Sequence, residues 1–267
     1  MYSVMLSVLI GLIIGTLGTI IGVGGGFILV PILLILFPSQ NPAVITAISL
    51  TVVFFNALSG SVAYSRMERI DYKSGIIFSA ATIPGAILGA YTTSYLPRPA
   101  FNLIFGIMML ITSIFIFLKP GIHVKKESKP NHLRRKIIEK TGITHIFSYN
   151  FHLGIILSVL VGFVSSLLGI GGGIVHVPFL IYLLNFPVPI ATATSQFVLM
   201  ITSFTGVIIH FSQGTLIKGL GLIAPLAIGA VIGSQLGARL SGSLSGPWIV
   251  KILAAALAVI GIKLLIS

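Results

Sequence analysis

The amino-acid sequence predicts an all-α polytopic membrane protein of about eight transmembrane spans, built from two homologous repeats that each contain a glycine-broken helical unit. Three observations predict it. The 267-residue chain is 56% hydrophobic and only 7% charged, where a soluble domain carries roughly 25% charged residues. Its apolar runs approach the length of about 20 residues that crosses a bilayer. And the stretch Gly22-Val23-Gly24-Gly25-Gly26-Phe27-Ile28-Leu29-Val30-Pro31 returns as Gly169-Ile170-Gly171-Gly172-Gly173-Ile174-Val175-His176-Val177-Pro178, 147 residues on.

In chain order, residues 4 to 37 form a first apolar unit. Consecutive glycines cost a helix about 1 kcal/mol each relative to alanine, so a helix entering from Met5 stops at Gly22 and a second starts near Gly26. The two arms of about 18 and about 12 residues fall short of a comfortable crossing. The N-terminus lacks a basic n-region and an A-x-A-like cleavage site, so its apolar run is expected to be retained. Spans are expected at 43 to 64, 74 to 95 and 101 to 118. A second glycine-broken unit at 153 to 185 precedes spans at 191 to 211, 217 to 240 and 248 to 266. The domain reading is a first repeat over 1–118, a basic cytoplasmic linker over 119–150 and a second repeat over 151–267.

The duplication extends beyond the glycines. Thr46-Ala47 and Ser49 fall on Thr192-Ala193 and Ser195, Gly60 falls on Gly206, and Gly85-Ala86-Ile87-Leu88-Gly89 falls on Gly229-Ala230-Val231-Ile232-Gly233. The last pair are G-x-x-x-G stripes, expected to let helices pack closely in lipid.

Charge gives the orientation. Net charge is +12, and eight of the sixteen basic residues lie between Lys119 and Lys140. By the positive-inside rule this stretch and the loop at 65 to 73 are cytoplasmic, and Lys125, Lys126, Arg134, Arg135 and Lys136 are expected to touch lipid headgroups. A nucleic-acid partner is not expected, since no stacking aromatics accompany Arg134-Arg135-Lys136. If each broken unit is a hairpin, every half has an odd number of full crossings and the repeats are inverted; if it crosses once, they are parallel. Lys218 and Arg239 sit in opposite loops and cancel. Arms of about 12 to 18 residues reach the midplane more naturally than they cross, which favours the inverted arrangement.

Function classes are bounded by what is missing. There is no cysteine, so disulfides and thiol chemistry are excluded. Phosphate-loop, dinucleotide and H-E-x-x-H signatures are absent, no cofactor or metal is expected, and the chain is not read as an enzyme. All four acidic residues, Glu68, Asp71, Glu127 and Glu139, fall in loops or the linker, so the spans hold nothing to offset a cation. A helix that begins inside the bilayer has the opposite polarity: unpaired N–H groups and about half a positive charge, which favour an anion. Broken backbone at that depth also requires a protein-lined or watery surround.

The candidate substrate-binding residues are Gly24, Gly25, Gly26 and Phe27 with Thr46, Ser49 and Asn56 in the first half. In the second they are Gly171, Gly172, Gly173 and Ile174 with His176, Thr192, Ser195 and Gln196. The hydroxyls and amides can hydrogen-bond an oxyanion, though Ser and Thr in membrane helices more often bond their own backbone. His176 adjoins a break and is a candidate positive contact or proton carrier, with Leu29 in its place in the first half. His210 and Arg239 are expected at the membrane interface. Leu50 stands where the second half has Gln196, making the two halves unequal.

With the two G-x-G-G-G-(x4)-P copies, hydroxyl-rich following spans and a basic central linker, the sequence resembles the sulfite exporter TauE/SafE family of bacterial membrane transporters. The resemblance covers essentially the whole chain outside the linker. It implies a duplicated bundle of about eight spans in the cytoplasmic membrane that moves sulfite, sulfonates or related sulfur-containing organic anions, commonly outward. The expected partners are therefore a small anionic substrate and membrane lipids, with a homodimer left open. A passive anion channel is the alternative, and a non-transporting membrane scaffold subunit a lesser one.

Overall fold

The computed structural model describes residues 4–118 and 132–241 and, beyond them, 255, 258, 259 and 261–265. Nine α-helices and one β-hairpin are found among the described residues. Six of the helices are long and apolar enough to cross a membrane: α1 (Val4–Ile21), α3 (Pro42–Arg66), α4 (Tyr72–Tyr95), α6 (Phe151–Leu168), α8 (Val188–Ser212) and α9 (Leu220–Leu240). The chain is thus a largely helical, multi-pass membrane protein. The expected span 248 to 266 lies mostly outside the described residues, but its helical stretch 261–265 packs on α5 (Arg98–Leu118), with Gly261 against Gly106.

Helix starts are fixed locally. Asn41 caps α3 by accepting from the Ala43 N–H at 2.8 Å, with Pro42 in the first turn where its missing N–H costs nothing. Asp71 caps α4, and Asn150 caps α6 by accepting from Leu153 at 3.2 Å. After the second break, α7 (Gly173–Pro178) passes into a π-helical turn, Phe179–Leu183. Pro178 has no N–H for the regular ladder, and the widened turn bonds Leu184 N–H to Phe179 O at 3.1 Å.

The first glycine break turns the chain back on itself. Leu6, Ser7 and Ile10 of α1 face Leu29, Leu33 and Leu36 of α2 (Gly26–Leu36) across an apolar cleft of about 20 Å³. Gly25 rests on Ile14, so α2 runs antiparallel to α1. Arg98 holds the far end, donating to Leu34 O at 2.7 Å and Gln40 O at 2.8 Å, a cation placed where the α2 carbonyls run out.

The halves interlock rather than stand apart. Gly229 and Gly233 of α9 lie on the α1 backbone at Val8 and Leu12, while Gly85 and Gly89 of α4 lie on the α6 backbone at Val159 and Phe163. Both G-x-x-x-G stripes are therefore close-packing surfaces, because any Cβ there would meet a carbonyl of the facing helix. The increments also make each pair parallel. Helices α3 and α8 cross antiparallel at the centre, where Gly60 meets Gln196 and Gly206 meets Leu50.

Residues 132 to 150, inside the stretch expected as a basic linker, have a structure of their own. They form a β-hairpin, β1 (His132–Ile138) with β2 (Thr144–Asn150), that pairs His132 with Asn150 and Ile138 with Thr144. Phe147 and Tyr149 point into the bundle and pack at a tilt against Phe186, with ring centroids at 4.4 and 5.2 Å. Arg135, the cross-strand partner of Phe147 and so on the same face, reaches the α3–α4 loop. Arg135 pairs with the fully buried Asp71, its Nε lying 2.9 Å from Oδ2, and Glu139 accepts from Arg69 at 2.7 Å and meets His145 at 2.7 Å. Arg135 is therefore not a lipid contact as expected, whereas Arg134 and Lys136 are exposed; Lys125 and Lys126 lie outside the described residues. Asp71 and Glu139, although outside the spans, are not solvated loop charges either.

Candidate functional site

The two breaks meet each other in the middle of the bundle. A side chain at Gly26 would strike the backbone of Ile170, and one at Gly173 would strike Val23 and Gly22. Gly25 and Gly172 are the residues before α2 and α7, with φ of 81° and 85°. That left-handed conformation is one only glycine adopts without strain, which explains why both turns need it there.

Capping bonds use part of the backbone at each turn. Val23 and Gly24 N–H donate to Gly18 O at 2.7 and 3.1 Å, and Ile170 N–H donates to Ser165 O at 3.1 Å. Gly25, Gly26 and Phe27, and Gly171, Gly172, Gly173 and Ile174, have N–H groups with no partner among the described residues. They head the helical stretches Gly26–Leu36 and Gly173–Leu183, where the dipole adds positive potential. Such a pair of helix starts can hold an anion and repels a cation.

Two apolar side chains fill the space between them. A Cβ at Gly24 or at Gly171 would touch both Val53 and Leu199, and these two residues are 0% and 1% exposed. Both breaks are buried in this conformation. Neither residue was singled out from the sequence, although they occupy matching positions in the two halves; apolar residues in an apolar span carry no distinguishing signal.

The predicted hydroxyls divide into two groups. Ser49 donates to Gly169 O at 2.6 Å and Ser195 donates to Gly22 O at 3.0 Å, so each core helix secures the break of the opposite half. Their protons are committed to backbone and cannot also be given to an oxyanion. Thr46 and Thr192 pack directly on Gly169 and Gly22, and the Thr46 hydroxyl has no partner. Thr51 follows the common membrane pattern and bonds Ala47 O at 2.8 Å.

Gln196 lies against Gly60 of α3, one helical turn from Asn56. Thr19, absent from the sequence-derived site, joins them by donating to Asn56 Oδ1 at 3.2 Å. Its match with Ser166, at the same offset as the glycines, was the signal that could have found it. His176 lies with its ring edge-on to Phe78, centroids 6.2 Å apart, and both ring nitrogens are buried without a partner. His210 corrects an expectation: it is fully buried, not at the interface, and pairs with Thr215 at 3.1 Å. Arg239 is exposed at the end of α9.

The comparisons agree on the kind of protein. The family model described as Sulfite exporter TauE/SafE matches residues 7–264. A probable membrane transporter protein of Bacillus subtilis, YunE, is 36% identical over 219 residues, covering 79% of this chain and 80% of that one. A probable membrane transporter protein of Methanocaldococcus jannaschii is 27% identical over 215 residues, covering 79% and 73%. One from Haemophilus influenzae is 32% identical over a shorter 117 residues, covering 43% and 44%. No solved structure matches. A match across nearly the whole chain, relatives named as membrane transporters and paired helix breaks inside an apolar bundle lead to one conclusion: the chain is a membrane transporter, not an enzyme, and belongs to the TauE/SafE sulfite exporter family.

Proposed function

We propose that this transporter moves small sulfur-containing oxyanions, such as sulfite and sulfonates, out across the bacterial cytoplasmic membrane, and that the substrate is held between the two glycine breaks. The observation that carries the reading is the set of unpartnered N–H groups from Gly25 to Phe27 and from Gly171 to Ile174, at two touching helix starts. The described spans offer no carboxylate interior to the membrane that would suit a cation: Asp71 caps α4 from its cytoplasmic end and is bound to Arg135. The name of the family model and the resemblance of the glycine motifs support the sulfur chemistry and the outward direction.

We also infer that the fold comprises eight units in two inverted repeats. The return of α2 along α1, the antiparallel crossing of α3 and α8, and the parallel pairs α1 with α9 and α4 with α6 support that arrangement. In it each half has one re-entrant unit and three crossings, which puts the halves on opposite sides. The closure of the breaks by Val53 and Leu199 favours a gated carrier over a permanently open anion channel.

The test is uptake of a panel of labelled anions into proteoliposomes of the purified chain, with and without a proton gradient. Saturable flux of sulfite or a sulfonate, with counter-transport, is the expected result. Sodium-dependent uptake of a cation or neutral solute would overturn it, and non-saturable flux without counter-transport would make the protein a channel.

A further inference from the structure

The pocket around Gly60 differs from its counterpart in the second half in a way that bears on which anions are accepted. Thr19, Asn56 and Gln196 are each 0% exposed. A Cβ at Gly60 would lie 3.4 Å from Thr19 Oγ1 and 3.5 Å from Gln196 Cδ, while Asn56 sits one helical turn before Gly60 on the same face of α3. The hydrogen bonding is incomplete in a specific manner. Thr19 gives its only proton to Asn56 Oδ1, which leaves the Asn56 Nδ2 donors free, and both Gln196 amide atoms, Nε2 and Oε1, have no partner. Buried polar groups are nearly always paired, so three unpaired atoms in one enclosed cluster mark a place where something else completes the network.

The matching place in the second half is built differently. Gln196 is replaced by Leu50, which lies on Gly206, and Asn56 is replaced by Thr202, whose hydroxyl bonds Thr82 at 2.8 Å and Val198 O at 2.9 Å. Only the Ser166 hydroxyl is left over there. One side of the central crossing is thus lined by amides, and the other by Leu50 and hydroxyls.

We propose that Thr19, Asn56 and Gln196 form a recognition subsite for a singly charged oxyanion that itself carries one hydrogen-bond donor: a hydroxy-sulfonate or a hydrogen-sulfite-type ion. This rests on the anion-transport reading above and narrows it. The free N–H groups of Asn56 and Gln196 receive the oxyanion oxygens. The free Gln196 Oε1 accepts one proton from the ligand, a bond that a fully deprotonated or purely alkyl anion cannot make. None of the three side chains is ionisable, so the cluster itself has no cation to balance a second negative charge. A subsite built to bond a ligand hydroxyl rejects the analogue lacking it, because its own acceptor is then buried and unpaired.

The test uses the full-length chain in proteoliposomes and a pair of sulfonates alike except for one hydroxyl: 2-hydroxyethanesulfonate and ethanesulfonate. The wild type is expected to favour the hydroxylated ion by about tenfold or more in transport efficiency, and Gln196→Leu, which copies Leu50, to bring that ratio close to one. Asn56→Leu is expected to weaken uptake of both ions while keeping a preference for the hydroxylated one. The wild-type ratio is read without any variant, so a misfolded mutant does not blunt the test. Equal wild-type efficiencies overturn this inference alone, as does an equal loss for both ions in Gln196→Leu, which would make Gln196 a structural residue. Flux of neither sulfonate nor sulfite above protein-free vesicles overturns the anion reading and this one with it.

Discussion

The Ser49 hydroxyl of α3 donates to the Gly169 carbonyl at 2.6 Å, so a residue of the first half fastens the chain break of the second. Ser195 repeats the bond in reverse, to Gly22 at 3.0 Å. Removing either hydroxyl strands a buried carbonyl, which costs about 1–3 kcal/mol. Ser49→Ala and Ser195→Ala are each expected to lower the thermal unfolding temperature of the detergent-solubilised protein, with Thr at either position recovering part of the loss. Unchanged melting in both alanine variants would mean that water takes over the carbonyl.

The breaks themselves should respond unequally to a methyl group. Gly25 and Gly172 share the left-handed backbone, so alanine at either costs about 1–2 kcal/mol in strain. The surroundings differ. A Cβ at Gly25 meets the carbonyl of Ile14 at 2.8 Å, which is fixed in a helix, whereas one at Gly172 meets the side chains of Ser165 and Val161 at 2.9 Å, which can shift. Gly25→Ala should therefore destabilise the protein more than Gly172→Ala, measured as melting temperature and as yield of monodisperse protein. The reverse order would show that the second break is the more tightly built.

How much of this was legible beforehand follows from which signals repeat. The breaks, the pairing of Ser49 with Ser195 and the G-x-x-x-G stripes repeat at offsets of 147, 146 and 144 residues, and a duplicated polar or glycine residue is conspicuous in an apolar chain. Val53 and Leu199 also repeat, but an apolar residue among apolar residues says nothing of its place. The hairpin was hidden by its own charge. His132-Leu133-Arg134-Arg135-Lys136 reads as a solvated linker until Asp71 is known to be buried beside it, and the alternation of Phe147 and Tyr149, with a Thr141-Gly142 turn before them, was the strand signal available. Membrane hydroxyls such as Ser49 could not be assigned from sequence, because bonding a distant carbonyl and bonding a ligand require the same side chain.

The clasp between the hairpin and the α3–α4 loop separates Arg135 from its basic neighbours. Asp71 is fully buried and Arg135 is its cationic partner, so Arg135→Gln leaves a buried carboxylate without its counter-charge, a loss of about 3 kcal/mol. Arg134→Gln and Lys136→Gln, at exposed positions, should be near neutral in stability. Comparing the melting temperatures of the three variants decides this, and three equal values would return Arg135 to the role of a lipid contact.

Acid should release the other half of that clasp, and only below the ordinary carboxylate range. Burial alone would raise the Glu139 carboxyl, but the hydrogen bonds from Arg69 and His145 outweigh it, and the group ends below its usual value. A depressed folded value stabilises above the unfolded one, about 4.3, and the contribution is lost as pH falls through the folded value. Protease cleavage near Thr141 should therefore be constant with respect to Glu139 between about pH 5 and 8 and rise under stronger acid. In Glu139→Gln, cleavage should already be elevated at neutral pH. Equal cleavage of the variant and the parent at pH 7 would mean that the packing of Phe147 and Tyr149 against Phe186 holds the hairpin without the ion pair.

The absence of cysteine makes the inverted arrangement directly testable, since a single introduced thiol is the only labelling site. Thr141, in the hairpin turn, lies at the end of the bundle marked by Met67 and Ser241, because Lys140 N–H reaches Met67 O at 3.1 Å and Arg69 reaches Ser241 at 3.4 Å. Ser39 and Ser212 lie at the other end, where Arg98 bonds the α2 terminus and Ser94 bonds Gln213 at 2.7 Å. All three positions are exposed. With the basic loops inside, a membrane-impermeant maleimide applied to intact cells should label Ser39→Cys and Ser212→Cys and leave Thr141→Cys unlabelled until the membrane is opened. Ser39 and Ser212 are the informative pair. Ser39 precedes the first core helix and Ser212 ends the second, so a shared side means that α3 and α8 cross in opposite directions. A parallel duplication places equivalent ends of the two core helices on one side and would label one of these two thiols but not the other.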